Sequence, residues 1–373
     1  MKILYFSPIP YDDLKQRPQY IAEELSKMHD VWYIEPTITG MRCLKKGGTD
    51  FKAKQYDISS TLHVIRLNGL FSLHIRFQKY DKRNLNTWFE RIQLKKLIQQ
   101  ADIIWIGYEA CYRLIRPYDA ESSIAAKSIL IYDKMDDNVK LEQKLPIKTF
   151  LYDMRTELEE KADAILVSAK IFYESLIQKR DNVYLIPNGV SYDGIEKNQL
   201  ISFEKSRRTG IPKRFGYVGL IGHWFDNDLI RLLATQLPQS DIVLVGPVAA
   251  AKVELPNVHY YGTVPKSQVY HWINSFDVCL YPFKPSELLD TIDPVKIYEY
   301  LLMNKPVIAI DSKEIRKYKE MIHIYKTPEE FINLCKTDYL SKPFLRNLDK
   351  QKFFEENSWE ARGKKILKII NSL

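Results

Sequence analysis

Short apolar runs that alternate with stretches of helical period constrain this chain more than any other feature. Ile3–Phe6, Val31–Ile34, Val64–Leu67, Ile103–Ile106, Ile129–Tyr132, Ala164–Val167 and Val183–Ile186 read as strands, and Ile21–Met28 and Leu151–Lys161 as helices between them. This is the βαβ signature of parallel sheets. The turn Pro187-Asn188-Gly189-Val190 closes the series, and residues 191–213 are polar enough for a linker. The pattern then restarts with Phe215–Val218, Ile242–Val245, Val258–Tyr260, Val278–Tyr281 and Val307–Ile310. A chain of 373 residues is too long for one ordinary domain. The expectation is two α/β domains, residues 1–195 and 196–357.

The stretch from Asp293 to Ile310 reads as loop, helix, tight turn and buried strand. Asp293 is expected to cap the helix, with Pro294 at its first position. Lys296 then falls in the first turn, where free N–H groups and the helix dipole attract phosphate. Glu299, three residues on, shares its face. A cation for a diphosphate and a carboxylate for ribose hydroxyls would thus point the same way. Asn304 suits a left-handed C-cap before Lys305-Pro306 and the strand.

This string resembles the nucleotide-sugar site of glycosyltransferases with the GT-B fold, in particular those of the glycosyltransferase-4-like group that build teichuronic acid and capsular polysaccharides. The resemblance implies two Rossmann-like domains facing an interdomain cleft, with a last helix (358–373) crossing back onto the first. It also implies that Lys296 contacts the donor diphosphate and Glu299 the ribose. Gly216–Asp226 matches the family's glycine loop: Gly219 and Gly222 would let the backbone approach a phosphate. His223 and Trp224 stand where many relatives carry a cation, so Lys296 is expected to supply that charge alone. Val264, in Tyr260–Pro265, lies by resemblance on the loop that reads the base. Retaining relatives carry Glu eight residues before Glu299, where this chain has Thr291; the stereochemical outcome stays open.

On the acceptor side, Ile129–Asn138 is a strand running into Asp133, Asp136 and Asp137. Clustered carboxylates raise one another's pKa, which suits a general base. The string resembles one in polysaccharide glycosyltransferases, which makes Asp136 or Asp137 the candidate base and Asp133 a candidate acceptor contact. Arg17, in Arg17-Pro18-Gln19, either anchors an anionic acceptor or pairs with Asp12 or Asp13. Asp226-x-Asp228 has the form of a metal motif, but also of a helix cap followed by a first-turn acid. No cofactor and no essential metal is expected.

The formal net charge is +8, and much of the excess is local. Between 71 and 100, seven cations face two anions, interleaved with Phe71, Phe77, Tyr80, Trp88 and Phe89. Such a segment suits an anionic membrane surface, or else a solvated helix pair with buried aromatics. No nucleic-acid motif accompanies it. Four cysteines without paired spacing exclude a disulfide framework and a zinc cluster. No apolar run approaches membrane-spanning length. The expectation is a cytoplasmic protein peripheral on the inner face of the cell membrane, passing sugar from a nucleotide donor to a lipid-linked glycan. Two rivals stay open, a GT-B nucleotide-sugar epimerase and a non-catalytic binding protein for nucleotides or anionic polymers.

Overall fold

The computed structural model describes residues 1–39, 54–69, 85–116, 128–191, 213–337 and 350–373. They divide into two units, Met1–Pro187 with Arg362–Leu373, and Asn188–Ala361. The first unit thus ends at Pro187 rather than at 195, and the chain rejoins it at Arg362 rather than at 358. Residues 71–84 of the basic segment and most of the expected linker lie outside the described residues.

In the first unit, β1 (Lys2–Phe6), β2 (Asp30–Thr39), β3 (Lys54–Ser59), β4 (Leu62–Gly69), β5 (Ile103–Ile106), β6 (Ile129–Lys134), β7 (Ala164–Val167) and β8 (Val183–Leu185) form one sheet. Its order is β3-β4-β2-β1-β5-β6-β7-β8. Among the described residues only the β3–β4 pairing in this sheet is antiparallel. Strands β5 and β7 are buried at every residue, which is why they read as unbroken apolar runs. Strand β3, at the sheet edge and almost wholly exposed, has the sequence Lys-Gln-Tyr-Asp-Ile-Ser and gives no such signal. The helices are α1 (Arg17–Ser26), α2 (Leu85–Gln100), α3 (Asn138–Leu141), α4 (Leu145–Lys161) and α5 (Lys170–Leu176). Helix α1 starts at Arg17, before its apolar period, because the Gln16 N–H donates to the Gln19 side chain at 3.0 Å and Pro18 lies in the first turn.

In the second unit, β9 (Arg214–Val218), β10 (Asp241–Val245), β11 (Val258–Gly262), β12 (Val278–Tyr281), β13 (Val307–Ile310) and β14 (His323–Tyr325) run parallel in the order β11-β10-β9-β12-β13-β14. The winding reverses between β9 and β12, so the loops beyond their C-terminal ends border a crevice of the kind where open α/β sheets bind ligands. Its helices are α6 (Asn227–Gln236), α7 (Lys266–Ser275), α8 (Val295–Leu302), α9 (Pro328–Lys336) and α10 (Lys350–Asn357), and α11 (Trp359–Ile370) carries the chain back into the first unit. Phe215, Phe225, Phe276, Tyr300 and Phe331 anchor the core with no more than 1% exposure. Asn304 ends α8 with φ of 53°, and the buried Lys305 ammonium donates to the carbonyls of Asn274 and Phe276 at the end of α7. That lysine neutralises a helix C-terminus and locks α7 to the turn after α8.

Candidate active site

The residues expected to hold a donor lie on the loops after β9 and β11 and on α8, in the second unit. Helix α8 begins where β12 hands over to its connection, and the Val218 N–H at the end of β9 donates to the Tyr300 hydroxyl at 3.1 Å. The start of α8 differs from expectation. Pro294 takes the N-cap position and no side chain caps the helix. Asp293, 3% exposed, does not cap it, although its carboxylate accepts the Tyr298 hydroxyl at 3.4 Å. Its carboxylate accepts the Asn188 N–H at 2.5 Å and pairs with Lys317, while Asn188 Nδ2 donates to its carbonyl at 2.9 Å. The Pro187–Val190 turn is thereby tied to the head of α8. Asp293 is neutralised by Lys317, and the first N–H groups of α8 are left without a capping carboxylate.

Glu299 is buried, with 1% of its side chain exposed, and is held by two lysines. Lys296, one turn back on α8, donates at 2.9 Å, and Lys266, the first residue of α7, donates at 2.5 Å. Burial alone would push the Glu299 carboxyl up, but the charges of Lys296 and Lys266 overcome it and hold the pKa at about 2. Lys296 is therefore not the only cation at this site. Lys266 carries no local signal in the sequence, since its partner lies 33 residues away.

Gly219 and Gly246 have φ of 156° and 138°, and a Cβ at Gly246 would fall 2.0 Å from the Gly219 carbonyl oxygen. Glycine is required there because the ends of β9 and β10 pack backbone on backbone. Gly222 is buried, and a Cβ would meet the Trp224 ring at 2.7 Å, so glycine leaves room for that ring. His223 is exposed, edge-on to Trp224. Val264 is half-buried, two residues before Lys266. Asp226 caps α6, accepting the Leu229 N–H at 3.0 Å. Among the described residues no group of three or more His, Cys, Asp or Glu side chains is placed to hold a metal ion.

In the first unit the three acidic residues after β6 have different fates. Asp133, 1% exposed, takes a bidentate pair of hydrogen bonds from Arg17, at 3.1 Å from Nε and 2.7 Å from Nη2. Arg17 Nη1 also donates to the Ile186 carbonyl at 2.8 Å. Both residues are withdrawn from the surface, so the structure replaces their expected acceptor role with a buried tie between α1, β6 and the end of β8. Asp137 caps α3, accepting the Lys140 N–H at 3.1 Å, and pairs with Arg155 at 3.1 Å. Asp136, half-buried, lies between these anchored positions at the end of β6. Glu109, which sequence reasoning missed, is 1% exposed and accepts the Tyr132 hydroxyl at 2.7 Å and Asn138 Nδ2 at 2.8 Å. Burial raises its pKa, and its bond to Asn138 fixes the loop that carries Asp136.

No family model matches this chain. Among characterised proteins it is similar to TuaH of Bacillus subtilis (strain 168), a glycosyltransferase assigned to teichuronic acid biosynthesis, with 25% identity over 232 residues. That match spans little more than half of each protein, 56% of this chain and 57% of the relative. Solved structures match over far more. Anabaena HepE in complex with UDP and glucose superposes with a TM-score of 0.63 at 13% identity over 100% of both chains. An E. coli trehalose-6-phosphate structure bound with UDP-2-fluoro glucose gives 0.67 at 11% identity over 100% of this chain and 99% of that one. TarM gives 0.63 at 11% identity over 99% and 98%. The chain has the GT-B fold. Its two parallel-rich sheets are the two Rossmann-like halves of that fold. Within the GT-B second half, Thr291 is buried in a 3₁₀ turn with its hydroxyl donating to the Leu288 carbonyl at 2.6 Å, so no carboxylate stands at that position.

Helix α2 buries polar side chains on the same face as Leu94 and Ile98. Asn86, Thr87, Glu90 and Arg91 are buried, with Glu90 paired to Arg113 and Arg91 donating to the Arg113 carbonyl. Trp88 and Ile92 are 54% and 52% exposed on the other face, followed by exposed Lys95 and Lys96. Among the described residues no helix is long and apolar enough to cross a membrane.

Proposed function

We propose that this GT-B protein is a hexosyltransferase that passes a sugar from a UDP-sugar to a lipid-linked cell-surface polysaccharide, with no essential metal or cofactor. The observation that carries the reading is the convergence of Lys296, Lys266 and Glu299 on the first turns of α8 and α7. Cations at open helix N-termini suit a diphosphate leaving group, and a fixed carboxylate suits ribose hydroxyls. The UDP complexes of the HepE and E. coli structures support uracil as the base, and the assignment of TuaH supports a polysaccharide acceptor. In this reading Asp136 takes the acceptor hydroxyl proton as that oxygen bonds to the anomeric carbon and the bond from that carbon to the diphosphate oxygen breaks, releasing UDP; attack on the face opposite UDP gives inversion. Val264 contacts the base and His223 borders the donor.

Calorimetric titration with UDP, GDP, ADP and dTDP, with and without manganese, tests the donor half. UDP is expected to bind without the metal, and Lys296→Ala to weaken it by roughly tenfold or more, as befits loss of a charge-assisted phosphate contact. No binding of any of the four by folded protein ends this reading in favour of a non-catalytic binder. Release of an epimerised sugar in the absence of acceptor would instead establish the epimerase.

A peripheral position on the inner membrane face is favoured by α2. An exposed Trp and Ile beside two exposed lysines suit the interface of an anionic leaflet, where each lysine contributes about 1 kcal/mol. Sedimentation with phosphatidylglycerol vesicles is expected to retain the protein, and Trp88→Glu/Ile92→Glu to release it. Equal sedimentation of both proteins would remove α2 from the membrane account.

A further inference from the structure

Resting on the donor-site reading, one feature of the Glu299 cluster goes beyond it. Glu299 is the group assigned to the ribose, yet both its oxygens are occupied, Oε1 by Lys266 and Oε2 by Lys296. With its side chain 1% exposed, it has no open face on which to receive a hydroxyl while both lysines stay in place. The lysines are accessible, with side chains 23% and 25% exposed. Helices α7 and α8 each begin behind a proline, Pro265 and Pro294, and neither has a side-chain cap. Two uncapped helix N-termini and two lysines therefore surround one carboxylate, and the cluster carries an excess positive charge. The Lys266 ammonium also lies 5.7 Å from the centre of the Tyr270 ring, one turn along α7, which keeps it at the head of the helix.

We infer that Lys266 is a second diphosphate-binding residue, and that an incoming nucleoside diphosphate draws both lysines from Glu299, releasing the carboxylate to the ribose hydroxyls. Recognition of the two parts of the donor is then coupled. A nucleoside without phosphates leaves the lysines on Glu299 and finds the ribose acceptor blocked. A diphosphate supplies the replacement anion, so exchange costs neither lysine its partner.

The test is binding of UDP by calorimetry and of uridine by saturation-transfer NMR, to wild type, Lys266→Met and Lys266→Arg, each checked for folding by circular dichroism. Lys266→Met is expected to weaken UDP by about tenfold or more while leaving uridine unchanged or tighter, because one Glu299 oxygen is opened. Lys266→Arg is expected to recover most of the UDP affinity. If Lys266 only positions Glu299, Lys266→Met weakens both ligands by one factor, and that result overturns the inference. Unchanged UDP affinity in Lys266→Met overturns it as well. Wild-type protein that binds no nucleoside diphosphate would fail at the earlier step, the donor-site reading itself.

Discussion

Asp136→Asn is expected to lower sugar transfer by roughly 10²–10⁴-fold, the range for loss of a general base, while UDP affinity stays within about twofold. The neighbouring Asp137→Asn is expected to behave differently. Asp137 is 6% exposed and caps α3 while pairing with Arg155, so its loss costs about 1–2 kcal/mol of stability and acts on rate only through the loop. Asp133 is engaged by Arg17. Two of the three carboxylates at the end of β6 thus hold structure, and the half-buried Asp136 sits on the rigid turn they create. Glu109, at the start of the 3₁₀ turn that follows β5, braces the Asp136 turn through Asn138. The measurement is single-turnover transfer with UDP-sugar and acceptor across pH, beside thermal unfolding of each variant. Asp136→Asn at full rate would remove it from the chemistry. A slow Asp137→Asn of wild-type stability would move the base one residue on.

What was legible in the sequence follows from range and burial. Strands buried on both faces announce themselves as apolar runs, and the twelve runs noted are all strands in the structure. The two strands missed, β3 and β14, lie at sheet edges, where a polar sequence or three residues suffice. Local devices were equally readable: the Asp226 cap, the left-handed Asn304 and the shared face of Lys296 and Glu299 one turn apart on α8. Long-range partners were not. Lys266 meets Glu299 across 33 positions, and Arg17 meets Asp133 across 116, so no periodicity or spacing links them. Asp293 shows how a local reading fails. Its residue type and place before a helix suit a cap, but Lys317 and Asn188 outcompete the helix for its carboxylate. At Gly222 the packing partner is the ring two residues on, since Trp224 fills the space that Gly222 opens.

Breaking the Arg17–Asp133 pair is expected to give the largest loss of stability. The guanidinium and carboxylate side chains are 4% and 0% exposed, so each variant that removes one partner strands a charge away from water. Such a loss costs about 3–5 kcal/mol. In a unit of this size each kcal/mol lowers the melting temperature by roughly 2–4 °C, so Asp133→Leu should fall by about 6–20 °C. Arg17→Met should fall comparably. The double variant Arg17→Met/Asp133→Leu is expected to recover most of this, since neither charge remains to be stranded. Recovery should stop about 1 kcal/mol short, because the Ile186 carbonyl loses the bond from Arg17 Nη1 in either case. Differential scanning calorimetry of the four proteins closes the double-mutant cycle. Additive losses would mean the two side chains are not energetically coupled. Strong coupling would instead identify the pair as the tie that holds α1, β6 and the end of β8 in register, and with them the turn that presents Asp136.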